Sequence, residues 1–185
     1  MGNDNLLYLV RCVPSRQKYV EKMKSQIPGL VIYNDTDGNA MKSFIKSLRL
    51  IGNRAAIILE DDVELTSHFC EKAEEVMRKH PQSFITFFHL SKVNLTSRWE
   101  PGSKFCMAQC IYIPEGYATQ IADYYPKWTR KEEHPTGTDL MIADWLKSRK
   151  EKYYIHCPSL VQHLPIVSVI NNRRSKFRQS ATYKP

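Results

Sequence analysis

Three consecutive carboxylates, Glu60, Asp61 and Asp62, interrupt an aliphatic stretch that begins at Ala55 and resumes at Val63 and Leu65. Adjacent carboxylates repel one another unless a cation neutralises them, and a divalent ion that prefers hard oxygen ligands is the usual partner. Such a centre stabilises a leaving group that gathers negative charge, or activates a water. A plainer reading stands beside it: the acids are a solvated strand end, or caps for a helix that starts near Thr66.

The elements that would position these acids follow from apolar patterning. Ala55 to Leu59 is a continuous aliphatic run, the mark of a strand buried on both faces in a parallel sheet. The acids then lie at its carboxyl end, the edge where open α/β sheets bind ligands. Alternation along a strand sends Glu60 and Asp62 to one face and Asp61 to the other. Upstream, Leu6 to Val10 predicts a first strand, with Arg11 at the same sheet edge as the acids. A helix capped by Ser15 runs to about Gln26, and Pro28-Gly29 stops it. Leu30 to Tyr33 predicts a second strand that ends in the polar loop Asn34 to Asn39. Asp/Asn/Gly content marks that loop as a turn, yet at a strand's carboxyl end Asp35 or Asp37 could also grip a ligand hydroxyl. Ala40 to Leu50 is patterned as an amphipathic helix. Strand, helix, strand, helix, strand in this order predicts an α/β fold with a mostly parallel sheet flanked by helices.

Beyond the acids, the pattern predicts a helix over Ser67–His80 and an aromatic strand over Ser83–Leu90. A loop from Ser91 to Cys106 carries Trp99, and a strand over Met107–Ile113 and a helix over Tyr117–Tyr125 follow. The exposed loop Pro126–Gly137 mixes Trp128 with Lys127, Arg130 and Lys131. A helix from Thr138 to about Lys150 and a short strand at Tyr153–His156 complete the pattern. The chain of 185 residues suits a single domain, here residues 1–170, ending in a basic tail at 171–185.

With 42% hydrophobic and 25% charged residues, the composition is globular rather than disordered. A formal net charge of +8 favours a polyanionic partner: nucleic acid, a nucleotide diphosphate or an acidic surface. Five scattered cysteines without a secretory signal predict reduced thiols and a cytoplasmic protein. Cys106 and Cys110 are only half of a zinc site, because no second pair follows at suitable spacing. No apolar stretch is long enough to span a bilayer.

The acidic motif Glu60-Asp61-Asp62, Asp139 at the start of a late helix, and the segment PSLVQHLPIVS (Pro158–Ser168) together resemble glycosyltransferases of the GT-A fold. The resemblance implies a Rossmann-like domain in which an acidic motif coordinates manganese or magnesium bound to a nucleotide-sugar. It implies Asp62 as direct metal ligand, Glu60 and Asp61 as contacts to metal or donor, and His163 as the histidine that completes the metal site. Asp139 matches the general base of inverting relatives, although an Asp there also favours a helix amino terminus. The motif reads EDD rather than a strict DxD.

A diphosphate leaving group needs cationic partners, and Arg11, Arg173, Arg174 and Lys176 are the candidates for that clamp. The basic tail, with Lys127, Arg130 and Lys131, would suit a phosphate backbone, and Trp99 and Trp128 could stack on an exposed base. Small viral enzymes that glycosylate hydroxymethylated pyrimidines in DNA are similar in size and charge, which would place the protein in a host cytoplasm. A saccharide or protein acceptor is the alternative. Two further classes fit clustered acids on a basic chain, a metal-dependent nuclease and a non-enzymatic nucleic-acid-binding module.

Overall fold

The computed structural model describes residues 6–167 and 178–185. A seven-stranded sheet in the order β2-β1-β3-β7-β5-β8-β6 forms its centre. The strands are β1 (Leu6–Cys12), β2 (Val31–Asn34), β3 (Ala55–Glu60), β5 (Ile85–Thr86), β6 (Arg98–Pro101), β7 (Cys110–Ile113) and β8 (Lys152–Ile155). All run the same way except β7 and the edge strand β6. The fold is therefore α/β and Rossmann-like.

From β1 the chain steps outward to β2 through α1 (Gln17–Gln26), then back past β1 to β3 through α2 (Ala40–Ile51). Right-handed crossovers in opposite directions put their helices on opposite faces of a sheet. Accordingly, Val20 and Met23 of α1 pack in one core with Ile57 and Leu59, while Met41, Phe44 and Leu48 of α2 pack in the other with Ala56 and Ile58. Two apolar layers explain why β3 reads as an unbroken aliphatic run rather than an alternating one. They also make the carboxyl end of the β1–β3 pair a topological switch point, where such sheets take ligands.

Past the acids, Val63 and Leu65 do not continue the sheet. Asp61 and Asp62 turn the chain, and β4 (Val63–Leu65) pairs antiparallel with β9 (Val161–His163) in a separate ribbon. The helices α3 (Phe69–Lys79), α4 (Tyr117–Tyr124) and α5 (Thr138–Ser148) complete the two layers.

Two expected loops differ from the pattern. Within Ser91–Cys106, the short β6 adds an edge to the sheet, and Trp99 lies against His80 and Tyr154 with ring centroids 5.3 and 5.2 Å away. Trp128, expected on an exposed loop, is 1% exposed in the core with Met141 and Trp145, and its indole N–H donates to Asp144 Oδ2 at 2.9 Å. Burying so large an apolar area outweighs the polar bias of its neighbours.

The C-terminal residues 178–185 dock on the body. Ser180 Oγ donates to Ser159 Oγ at 2.8 Å, Tyr183 Oη donates to the Leu65 carbonyl at 3.0 Å, and Thr66 Oγ1 donates to the Lys184 carbonyl at 2.6 Å.

Candidate active site

The site forms where β1 and β3 end side by side. Arg11 on β1 stands in register with Glu60 on β3. Its Nη2 lies 3.3 Å from Glu60 Oε1, its Nη1 donates to the Ala40 carbonyl at 3.3 Å, and the guanidinium sits 5.2 Å from the Phe44 ring centroid. Burial pushes the Glu60 carboxyl up to about 7; Asp62 adds to the rise, and Arg11 opposes it.

Asp61 lies in the turn after β3, where strand alternation no longer holds, and it shares the Arg16 guanidinium with Asp62 instead of facing away from it. It accepts from the Val13 amide at 2.8 Å and from Arg16 Nη1 at 2.9 Å. Burial raises its proton affinity, and those two donors pull it back. Arg16 also donates from Nη1 to Asp62 Oδ2 at 2.7 Å and from Nη2 to the Val167 carbonyl at 2.6 Å. The sequence reading missed this buried arginine, although a signal was present. Arg16, Val20, Met23 and Ile27 recur at helical spacing and are all buried, which sets a cation on the apolar stripe.

The β4–β9 ribbon brings His163 opposite Val63 and so beside Asp62. His163 Nδ1 is 2.8 Å from the Leu164 carbonyl. A carbonyl only accepts, so Nδ1 carries the proton, and in the neutral ring Nε2 presents a lone pair. Nε2 itself lies 3.5 Å from Asp62 Oδ2. Asp62 Oδ1 is buried without a hydrogen-bond partner among the described residues. Ligand atoms of Glu60, Asp62 and His163 all lie within 4.8 Å of one another. Two carboxylates and an imidazole that converge in this way, with one carboxylate oxygen unpartnered among the described residues, form a set that could hold a divalent cation. A ligating histidine whose other nitrogen is tied to a carbonyl is the usual arrangement at such centres.

Asp139, in the first turn of α5, accepts from the amides of Met107 at 2.8 Å and Ala108 at 3.1 Å. Burial raises its proton affinity against these amides and the nearby charges of Arg178 and Arg11. Its own charge reaches Glu60, which ties α5 electrostatically to the end of β3. Among the described residues, the acids Glu60, Asp61, Asp62 and Asp139 outnumber Arg11, Arg16 and Arg178.

The remaining described candidates are engaged in contacts of their own. Asp35 closes a turn by accepting the Asp37 amide at 3.2 Å, and Asp37 pairs with Lys46 at 2.8 Å. Arg130 pairs with Asp144 at 3.2 Å, Lys131 donates to the Pro126 carbonyl at 3.1 Å, and Lys127 ends a short 3-10 turn at the surface. Trp99, 45% exposed on β6, stands four strand positions from β3, about 19 Å at ordinary strand spacing. The structure does not bring it to the acids. Arg173, Arg174 and Lys176 lie outside the described residues. The five cysteines are free thiols, and no described helix is long and apolar enough to cross a membrane.

One pH dependence follows. A carboxyl whose proton is held more tightly in the folded state than in the unfolded one costs stability as it ionises, so the Glu60 contribution falls as pH rises from about 4.5 to about 7. A metal ligand must be deprotonated, so manganese affinity should rise with pH, by up to about tenfold per unit, until Glu60 has ionised. Manganese titrations across this range check it; a flat profile would remove Glu60 from the ligand set.

No family model matches the sequence, and no curated protein matches it. Among solved structures, the chain is similar to the CTP:phosphocholine cytidylyltransferase from Streptococcus pneumoniae, with 14% identity, 88% of this chain and 74% of that one covered, and a TM-score of 0.50. A second match is A197 from STIV, at 12% identity, 98% coverage of both chains and a TM-score of 0.49. At these identities the first likeness is one of fold.

Proposed function

We propose that the chain is a metal-dependent glycosyltransferase that takes a nucleotide-sugar as donor and moves its hexose to a hydroxyl acceptor. The observation that carries this reading is the convergence of Glu60, Asp62 and His163 at the switch point of the sheet, with Asp62 Oδ1 unpaired among the described residues. Asp62 and His163, joined by Glu60, would hold manganese or magnesium, which when bound supplies positive charge to the departing diphosphate. Arg11 adds a fixed cation at the same edge, and Arg173, Arg174 and Lys176 are further candidates for the clamp. Asp35 and Asp37 follow the carboxyl end of β2, the side on which the nucleoside would lie. Asp139 is the proposed general base: each of its oxygens keeps a lone pair beyond its amide bond, and burial makes it a better proton acceptor.

The acceptor class we propose is a 5-hydroxymethylpyrimidine in DNA, which the net charge of +8 supports through attraction to phosphate. Lys127, Arg130 and Lys131 are the described basic residues assigned to that backbone. A base inside a duplex must leave the stack to be modified, at a cost of a few kcal/mol.

Thermal melting with manganese and a panel of nucleoside diphosphates tests the donor half of the reading. One diphosphate at about a hundred times its Kd should raise the melting temperature by about 5 to 10 °C. The same nucleotide carrying a hexose should then label hydroxymethylated DNA and leave unmodified DNA untouched. No shift with any diphosphate would defeat the glycosyltransferase reading.

A further inference from the structure

We infer that Gln109 reads a hydroxyl of the sugar carried on the diphosphate, and so sets which donor is accepted; this rests on the glycosyltransferase reading above. Gln109 precedes β7, whose last ladder pair with β3 is Leu59 with Cys110. The Glu60 amide donates to the Gln109 carbonyl at 3.0 Å, so the pairing runs one residue further and sets Gln109 opposite Glu60. Ile58 and Ile111 lie in one core, and Leu59 and Cys110 in the other. Residues opposite one another on paired strands share a face, so Gln109 and Glu60 point the same way. Arg11 stands in register with Glu60 on the other side, and Tyr33 with Arg11. Tyr33, Arg11, Glu60 and Gln109 thus form one row across four strands, about 14 Å long at ordinary strand spacing.

Gln109 is 3% exposed, and its Oε1 is buried without a hydrogen-bond partner among the described residues. An unmatched buried amide oxygen destabilises a fold, whereas a leucine of similar size there would not. The backbone leading to it is held firmly, because Asp139 accepts from the two preceding amides. A rigid strand end therefore presents an unsatisfied carboxamide beside the acidic cluster. The chemistry of the row separates its members by ligand. Arg11 and the proposed cation at Glu60 suit a diphosphate. Gln109 is uncharged and offers both a donor and an acceptor, which matches a hydroxyl rather than a phosphate. One strand beyond the diphosphate position, that hydroxyl belongs to the transferred sugar.

Calorimetric titration with manganese tests this, using UDP, GDP and CDP and the corresponding hexose-linked nucleotides on wild type, Gln109→Leu and Gln109→Ala. The leucine variant should melt about 2 to 6 °C above wild type without ligand, since an orphaned polar group has been removed. Both variants should bind the free diphosphate as wild type does, and lose about tenfold in affinity for the hexose-linked form. Variants that keep the wild-type ratio of the two affinities would overturn the assignment while leaving the function standing. Equal loss of both ligands would also overturn it, because Gln109 would then serve the diphosphate. Wild type that binds no diphosphate at all would remove the function and this inference together.

Discussion

Replacing Asp62 with alanine should lower the proposed sugar transfer by at least on the order of a thousandfold and abolish any manganese-dependent rise in melting temperature, as expected when preorganised charge stabilisation is lost. The ligand-free protein should melt within a few degrees of wild type. Asp62 contributes one oxygen to Arg16 at 2.7 Å and leaves the other unpaired among the described residues. Its removal relieves repulsion from Asp61 and Glu60, and Arg16 keeps its bond to Asp61 at 2.9 Å. The Asp62 carbonyl still accepts the Leu164 amide at 2.8 Å, so the backbone tie from the acidic turn to the residue after β9 survives. Melting curves with and without manganese, run beside a turnover assay, separate the two effects. Turnover that persists in the variant would take Asp62 out of the mechanism.

Replacing Arg16 with methionine should act in the opposite sense, on the fold first. The side chains of Arg16, Asp61 and Asp62 are each no more than 9% exposed, so no water replaces the guanidinium well. Breaking a buried pair by removing one partner costs about 3–5 kcal/mol, because the other charge remains buried. For a chain of this length that lowers the melting temperature by about 6 to 20 °C. Neutralising the stranded acid with a second change, Asp61→Asn, should recover much of the loss, as expected of residues in direct contact. Double-mutant melting measures this. Additive losses would show that Arg16 stabilises through Val167 or packing rather than through the acids.

The parts of this architecture that were legible in the sequence are those where one physical cue dominates. The unbroken aliphatic run of β3 announces a strand between two apolar layers, and its abrupt end in Glu60 marks where that strand stops. Trp128 misled because the polarity of a loop says nothing of a single large ring that folds back under it. Trp99 misled because a four-residue edge strand bounded by Pro101 and Gly102 resembles a loop. Arg16 was hidden in a stretch read as a helix cap, and its role depends on a turn at Asp61 and Asp62 that local pattern does not fix. Gln109 has no signal in sequence at all: its meaning lies in a register with Glu60, set by pairing across some fifty residues of chain.

The strand order has a consequence for how the chain reaches its native state. β1, β2 and β3 pair through short crossovers and form a local unit. β7, which flanks β3 on its other side, arrives only after the chain has laid down β5 and β6. His163 arrives later still, with β9. Closing long loops before their contacts reward it slows folding, so the ligand edge is among the last regions to assemble. An incompletely folded chain therefore holds Glu60 and Asp62 without His163 or the β7 edge, so the proposed cation site is complete only in the finished molecule and not in its first half.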